Sequence, residues 1–232
     1  MIAALGWGAL AASSLVIGAL AGVARPWPPR VVGLVLGFGA GALISAVSFE
    51  LAEEGLQVAS GGAVAAGLAL GALTYYVADG LIGRRSGGSD AGSSLALGAF
   101  LDGIPEQLVL GLGVAIGDGV SAGLLAAIFV SNLPEAIGSA TAMRAGGVAR
   151  ATIMRLWLGV AGVCTVASVI GFAVADSLSD ELQGGANGFA AGALIVMLVD
   201  SMIPDATRQA GRTTGLVTTL GFAVGAGLSA AS

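Results

Sequence analysis

The chain has no lysine, no histidine and a single cysteine, and only 10% of its 232 residues are charged. A soluble domain keeps about a quarter of its residues charged, so this chain has too little polar surface to cover a water-exposed globule. One cysteine, Cys164, excludes an internal disulfide and a cysteine-rich metal site, and we expect it to serve in packing. Without histidine, without a serine-nucleophile motif and without a complete aspartyl-protease pattern, the chain is predicted not to be an enzyme.

Long apolar stretches make up most of the chain. The composition is 56% hydrophobic with a mean hydropathy of +0.95, and a bilayer span needs roughly twenty apolar residues. The pattern predicts an all-α integral membrane protein with a single transmembrane domain over 1–232, no soluble domain and no cofactor. Its expected partner is the lipid bilayer, and nothing predicts nucleic-acid binding. The eight predicted spans are 2–23, 31–54, 61–83, 93–117, 121–144, 152–175, 186–206 and 213–231.

The nine arginines all lie in or beside alternate connections between the predicted spans, and therefore on one side of the membrane. The first, third, fifth and seventh connections, counted with the adjoining helix ends, hold every one of them, and the other connections hold none. Basic residues favour cytoplasmic loops, which predicts that both termini lie outside and that the protein resides in the cytoplasmic (inner or plasma) membrane. These arginines are Arg25, Arg30, Arg84, Arg85, Arg144, Arg150, Arg155, Arg208 and Arg212.

A short stretch of the second predicted span recurs in the seventh. Phe38-Gly39-Ala40-Gly41-Ala42-Leu43-Ile44 matches Phe189-Ala190-Ala191-Gly192-Ala193-Leu194-Ile195 at six of seven positions. The two spans are five helices apart and therefore run in opposite directions. Matching segments of opposite direction are typical of the inverted-topology repeats of transporters. We therefore predict inverted repeats in a 3+2+3 arrangement of the eight helices.

A second matched pair carries ionisable groups. Asp102-Gly103-Ile104-Pro105-Glu106 lies in the fourth span and Ser131-Asn132-Leu133-Pro134-Glu135 in the fifth. A carboxylate at mid-bilayer costs on the order of 2.5–3.5 kcal/mol unless it faces protein, water or a cation. Residues four apart share a helix face, so the two segments can converge. They predict a cation site with the ligands Asp102, Glu106, Ser131, Asn132 and Glu135.

Pro105 and Pro134 are predicted to kink the two helices and to free carbonyls one turn earlier, which would add oxygen ligands. The alternative is that these polar groups only hydrogen-bond between kinked helices.

Two further acidic positions are candidates for a cation pathway. Asp200 lies near the middle of the seventh span, where it serves either as a pathway residue or as a packing group. Glu50 clusters with Glu53 and Glu54 toward the outer end of the second span. These three carboxylates either attract cations or form a solvated helix end.

Taken together, the two Pro-Glu segments and the repeated Gly-Phe stretch resemble the ZIP (Zrt/Irt-like protein) family of divalent metal transporters, in a divergent bacterial-type form. That family has eight spans, a His-Asn-x-Pro-Glu-Gly motif in the fourth and a related Pro-Glu or Pro-His motif in the fifth. The resemblance implies a carrier, elevator-like alternating access against fixed second, third, seventh and eighth spans, and a homodimer. Glu106 and Glu135 would be bridging ligands.

The chain departs from the family motif at its nitrogen ligands. Asp102 and Ser131 stand at the two histidine positions, Gly103 at the asparagine position and Gln107 at the usual glycine. The resemblance implies zinc as the transported cation, whereas an oxygen-only shell favours Mn²⁺, Mg²⁺ or Ca²⁺. One metal site is then more plausible than two. A non-transporting or altered-substrate relative, with protonated and structural carboxylates, is the alternative function.

Overall fold

The chain folds into helices throughout the part that the structure, a computed structural model, describes. The backbone is described for residues 1–85, 91–116, 122–175 and 177–230, and the side chains for 1–81, 103–115, 122–175 and 177–230. No strand occurs within these ranges. The elements in chain order are α1 (Ile2–Ala24), α2 (Pro29–Ala46), π1 (Val47–Ala52), α3 (Glu53–Val58), α4 (Gly61–Arg85), α5 (Ala91–Ile116), α6 (Ala122–Ala145), α7 (Arg150–Ala175), α8 (Asp180–Met197), π2 (Leu198–Met202), α9 (Ile203–Ala210) and α10 (Thr213–Ser229).

Between six and eight of these helical stretches are apolar enough to cross a membrane. Six in the described part have both the length and the hydropathy of a span, and two shorter apolar stretches cover Gly103–Ala115 and Thr213–Ser229. The α2–π1–α3 run and the α8–π2–α9 run each count as one stretch, Pro29–Val58 and Asp180–Ala210. The prediction of an all-helical membrane architecture is confirmed, while the count of eight and the side of each terminus stay predictions.

Glycines let two pairs of helices pack backbone to backbone. A Cβ on Gly71 of α4 would collide with the carbonyl of Phe189 in α8, and a Cβ on Gly221 of α10 would collide with the carbonyl of Phe38 in α2. Gly41 of α2 likewise faces the backbone of α10. Small residues allow such close approach of membrane helices. The matched phenylalanines therefore occupy matched contacts, α2 on α10 and α8 on α4.

The other four long helices pack in the same way. Gly18 of α1 lies against the carbonyl of Leu133 in α6, and Gly171 of α7 lies against the carbonyl of Leu108 in α5. We call α1, α5, α6 and α7 the α5–α6 group. The remaining helices, α2–π1–α3, α4, α8–π2–α9 and α10, are the π group. The two groups meet chiefly where α2 packs on α6.

The α2–π1–α3 run and the α8–π2–α9 run each contain a π-helical segment at the same distance from the matched phenylalanine. Val47 begins π1 nine residues after Phe38, and Leu198 begins π2 nine residues after Phe189. Single-turn π segments inside α-helices are rare and frequent at functional sites. The sequence match between the second and seventh spans therefore extends to an uncommon backbone feature.

The helix that contains the seventh predicted span, 186–206, begins before it, at Asp180. Ser179 caps this helix, because its side chain accepts a hydrogen bond from the Leu182 N–H. Asp180 and Glu181 stand in the first turn, where the helix dipole favours negative charge. The residues before 186 were predicted to form a connection. The two carboxylates in this segment are instead compatible with the first turn of a helix.

Candidate functional site

The two Pro-Glu segments are joined by a hydrogen bond between α5 and α6. The side-chain Nδ2 of Asn132 donates to Oε2 of Glu106 over 3.1 Å. Glu106 is 1% exposed and Asn132 is also buried. A buried carboxylate needs hydrogen bonds or a counter-charge, and here the neighbouring motif supplies one of them. The contact between the two segments that the spacing predicted is present for this pair.

Ser131 and Glu135 share the α6 side of this contact. The Ser131 hydroxyl is buried and donates to the Ile128 carbonyl of its own helix over 3.0 Å. Its oxygen keeps lone pairs that can still accept or ligate. Glu135 lies one turn further along and is half-buried. Their roles as ligands stay predictions.

Asp102 has its backbone on α5, one turn before Glu106, but its side chain lies outside the described residues. Within the described ranges, no three aspartate, glutamate or cysteine side chains come together closely enough to hold a metal ion. The three-carboxylate arrangement therefore depends on Asp102 and stays a prediction.

Pro105 and Pro134 both lie inside helices that continue past them, α5 and α6. Each proline lacks the N–H that would bond the carbonyl four residues earlier. The freed carbonyls thus remain candidates for ligands, and the predicted bend of each helix stays a prediction.

Helices from both groups press on the site segments. Gly39 of α2 packs against Ser131, because a Cβ there would lie 2.8 Å from the Ser131 Cα. On the other side, the Cys164 sulfur would lie 2.7 Å from a Cβ on Gly103 of α5. Cys164 is fully buried, as its predicted packing role requires. The glycine in the repeated stretch of α2 is therefore what admits α6 to this position.

Gln107 is a polar residue whose surroundings the sequence did not reveal. Its side chain is 1% exposed, and neither its amide nitrogen nor its amide oxygen has a hydrogen-bond partner among the described residues. It lies beside Gly8 of α1, whose Cβ would be 3.4 Å from the amide oxygen. The sequence shows only that a glutamine stands where the resembled family has a glycine, and nothing in it indicates that α1 lies beside this side chain.

The acidic residues predicted to lie on a cation pathway differ in their exposure. Glu50 is 5% exposed, and the Ser229 hydroxyl at the end of α10 donates to its Oε1. Glu53 and Glu54 are exposed, as is Asp200 of π2. For Glu53 and Glu54 the arrangement resembles a solvated helix end, whereas Glu50 is enclosed by protein.

The chain is similar to a curated plant protein, whereas no family model matches it. It shares 31% identity over 194 residues with an Arabidopsis thaliana protein named "Putative zinc transporter". The match covers 78% of this chain and 31% of the plant protein, so the chain spans about a third of the length of that relative. The apolar helices and this similarity together indicate a membrane protein.

Proposed function

We propose that the chain is a divergent member of the ZIP family that carries divalent metal cations across the cytoplasmic membrane. The name of the plant relative, which has the words zinc transporter in it, supports this class of function. The two Pro-Glu segments on neighbouring helices support it independently. The proposal is a carrier, not an enzyme.

The contact between Asn132 and Glu106 is the observation that carries the proposal. It joins the two motif segments inside the protein, away from the lipid-facing surface. An intramembrane carboxylate that faces the protein interior is a functional candidate, since its insertion cost is met only by a proton, a partner or a cation. Asn132 donates through its amide nitrogen here, so a cation shared with Glu106 would require the amide to turn its Oδ1 toward the carboxylate.

In this proposal the cation is held at mid-depth by Glu106, Glu135 and Asn132, with Asp102 and Ser131 completing the shell. All of these groups bind through oxygen, which suits Mn²⁺, Mg²⁺ or Ca²⁺ by ligand hardness. The family resemblance and the plant relative's name favour zinc. Flux measurements with both Zn²⁺ and Mn²⁺ would separate these expectations.

Transport would proceed by alternating access between the two helix groups. The α5–α6 group would slide as an elevator along the π group, which contains the second, third, seventh and eighth predicted spans. The paired glycine contacts at Phe38 and Phe189, and the paired π segments, support inverted repeats as the basis of this motion. We propose eight spans, termini on the outside and a homodimer.

Asp200 would serve the cation as it leaves the central site. It is exposed within a predicted span, and a carboxylate that faced acyl chains would carry an unfavourable insertion energy. We infer that its surroundings are a water-filled cavity, in keeping with the observation that intramembrane acids usually line such cavities.

Flux into proteoliposomes tests the central assignment. Glu106→Ala and Glu135→Ala should each lower Zn²⁺ or Mn²⁺ uptake by at least about tenfold, the loss expected when a metal ligand or its support is removed. Glu53→Ala removes an exposed carboxylate and should leave uptake unchanged. Undiminished flux in both central variants would remove the site assignment.

The second candidate is a membrane protein whose carboxylates are protonated and structural, with no transport or with another substrate. The Asn132–Glu106 hydrogen bond and the Ser131 bond to its own helix suit this role as well. A ligand that binds only the native state raises its stability. A rise in melting temperature with Zn²⁺ or Mn²⁺ would favour the carrier, and its absence with every divalent cation would favour the structural protein.

A further inference from the structure

Glu50 is a buried carboxylate outside the central site. It lies on π1 and is 5% exposed. Its Oε1 accepts the Ser229 hydroxyl, whereas its Oε2 has no hydrogen-bond partner among the residues that the structure describes. Buried carboxylates are normally paired, hydrogen-bonded or bound to a metal. One of the two oxygens of Glu50 is thus left for a ligand that the described protein does not supply.

Gly123 of α6 covers the same carboxylate. A Cβ on residue 123 would lie 2.8 Å from the Ser229 hydroxyl oxygen and would collide with Oε1 of Glu50. The missing Cβ at residue 123 lets both polar groups approach α6 this closely, and a Cβ there would make the end of one of these two side chains shift. α6 belongs to the α5–α6 group, while Glu50 and Ser229 belong to the π group. The contact therefore crosses the boundary between the groups.

The contact also lies at a defined end of the molecule. Gly123 stands in the first turn of α6 and Ser229 is the last residue of α10. Both belong to the end opposite the connections that carry the arginines. Any relative slide of the two groups along the helix axes must separate Gly123 from Glu50 and Ser229.

We propose that Glu50, Ser229 and Gly123 form a closure at the arginine-free end, and that the Glu50 carboxylate binds a divalent cation when this closure opens. The inference rests on the proposed transport function, which it deepens by adding an entry site. When α6 withdraws, Oε1 loses its cover, and Oε2 already has no partner in the described structure. A cation then competes with the neutral Ser229 hydroxyl, and an ion pair to a carboxylate is the stronger interaction.

A reversible cross-link tests the closure. Cysteines are introduced as Gly123→Cys and Ser229→Cys in a Cys164→Ala background. In a disulfide, the Cβ of one residue and the sulfur of the other are about 3 Å apart, close to the 2.8 Å between a Cβ on residue 123 and the Ser229 hydroxyl oxygen. Oxidation should therefore join the two helices without a large displacement.

The oxidised double variant should lose cation flux in proteoliposomes and regain it on reduction. The flux of each single-cysteine variant should be the same with and without the oxidant. Full flux through the cross-linked protein would overturn the closure, because the groups would then move without separating at this end.

The rate of cross-linking tests cation binding without any transport measurement. Mn²⁺ should slow disulfide formation when residue 50 is glutamate, because a bound cation holds the closure open. The parent for this test is the double-cysteine variant with Glu50 intact. Adding Glu50→Gln to it should abolish the effect of Mn²⁺, and adding the matched Glu53→Gln should leave that effect unchanged. An unchanged rate in the parent, or equal slowing in Glu50→Gln, would overturn the binding role of Glu50. If the parent showed no flux but Mn²⁺ still slowed the reaction, the carrier function would fail while this site would stand.

Discussion

The two π-helical segments start at the same distance from matching phenylalanines, yet their carboxylates lie in opposite environments. Glu50 of π1 is buried under Ser229 and Gly123, and Asp200 of π2 is exposed. Counted from the phenylalanines, the counterpart of Asp200 is Phe49, so the two acids are offset by one residue. One residue of helix is a rotation of roughly 100°. The acids therefore point to different sides of equivalent helices.

Rotation explains only part of the contrast. Phe49 and Asp200 are equivalent and both exposed, but Ser201, the counterpart of Glu50, is exposed while Glu50 is buried. The cover over π1 makes this difference, since the start of α6 and the end of α10 meet there. Glu50 is therefore covered at the boundary between the two groups, whereas Asp200 is exposed. In the alternating-access carrier that we propose, such a difference between equivalent helices would belong to one of its states.

Chemical labelling of the native protein gives the largest test of this contrast. A water-soluble carbodiimide with an added amine should modify Asp200 faster than Glu50. The difference should be on the order of 100-fold if the closure opens in about one molecule in a hundred. Peptide mapping by mass spectrometry reads both sites in one sample, with exposed Glu53 as the reference. Equal rates would contradict the closed end, and labelling of Asp200 by a lipid-soluble carbodiimide alone would contradict the water-filled cavity.

Alanine substitutions of Glu50 and Asp200 should change the free energy of unfolding by different amounts. Glu50→Ala removes the acceptor of the Ser229 hydroxyl and leaves a cavity at a buried position, so the free energy of unfolding should fall by about 2 kcal/mol. Asp200→Ala changes an exposed position and should stay within about 0.5 kcal/mol. Denaturant unfolding in detergent micelles measures both. Equal losses, or a gain of stability in Glu50→Ala, would contradict the enclosed and hydrogen-bonded state of Glu50.

The environment of Glu50 shows where sequence reasoning reached its limit. A run of three glutamates near a helix end indicates a solvated cap, and for Glu53 and Glu54 the exposure agrees with it. The burial of Glu50 depends on Ser229 and Gly123, which are distant in sequence and carry no charge. No local pattern connects them. The π segment that carries Glu50 is also not visible in the composition, since the residues of π1, Val-Ser-Phe-Glu-Leu-Ala, are equally compatible with an α-helix.

The central contact was more accessible to prediction. Pro-Glu segments near the middle of successive apolar stretches predict neighbouring helices with polar faces at equal depth, and the Glu106–Asn132 hydrogen bond follows from that geometry. The orientation of Ser131 toward Ile128 did not follow, because a serine in a helix can bond its own backbone as well as a neighbour. The burial of Gln107 was not predicted either, since it depends on how α1 and α7 pack against α5.

The smallest expected effects compare polar links at the two ends of the π group. At the arginine-free end, Oε2 of Glu181 accepts the Ser60 hydroxyl over 2.8 Å and Oε1 accepts the Ser60 N–H over 3.2 Å, which ties the start of α8 to the start of α4. At the other end, Arg208 pairs with Asp205 within the single helix α9, and the arginine side chain is 75% exposed. Glu181→Ala should cost about 1 kcal/mol through the lost hydrogen bonds at a helix start. Arg208→Ala should cost less than about 0.5 kcal/mol, because an exposed ion pair contributes little.

Denaturant unfolding at low and high salt separates the two links. The effect of Arg208→Ala should vanish at high salt, while that of Glu181→Ala should largely remain, because Glu181 bonds a backbone N–H and a hydroxyl instead of a charged side chain. Glu181→Gln keeps one acceptor oxygen and should recover part of the loss. A larger cost for Arg208→Ala than for Glu181→Ala would contradict this ranking, because an exposed ion pair within one helix would then contribute more than two hydrogen bonds that join different helices.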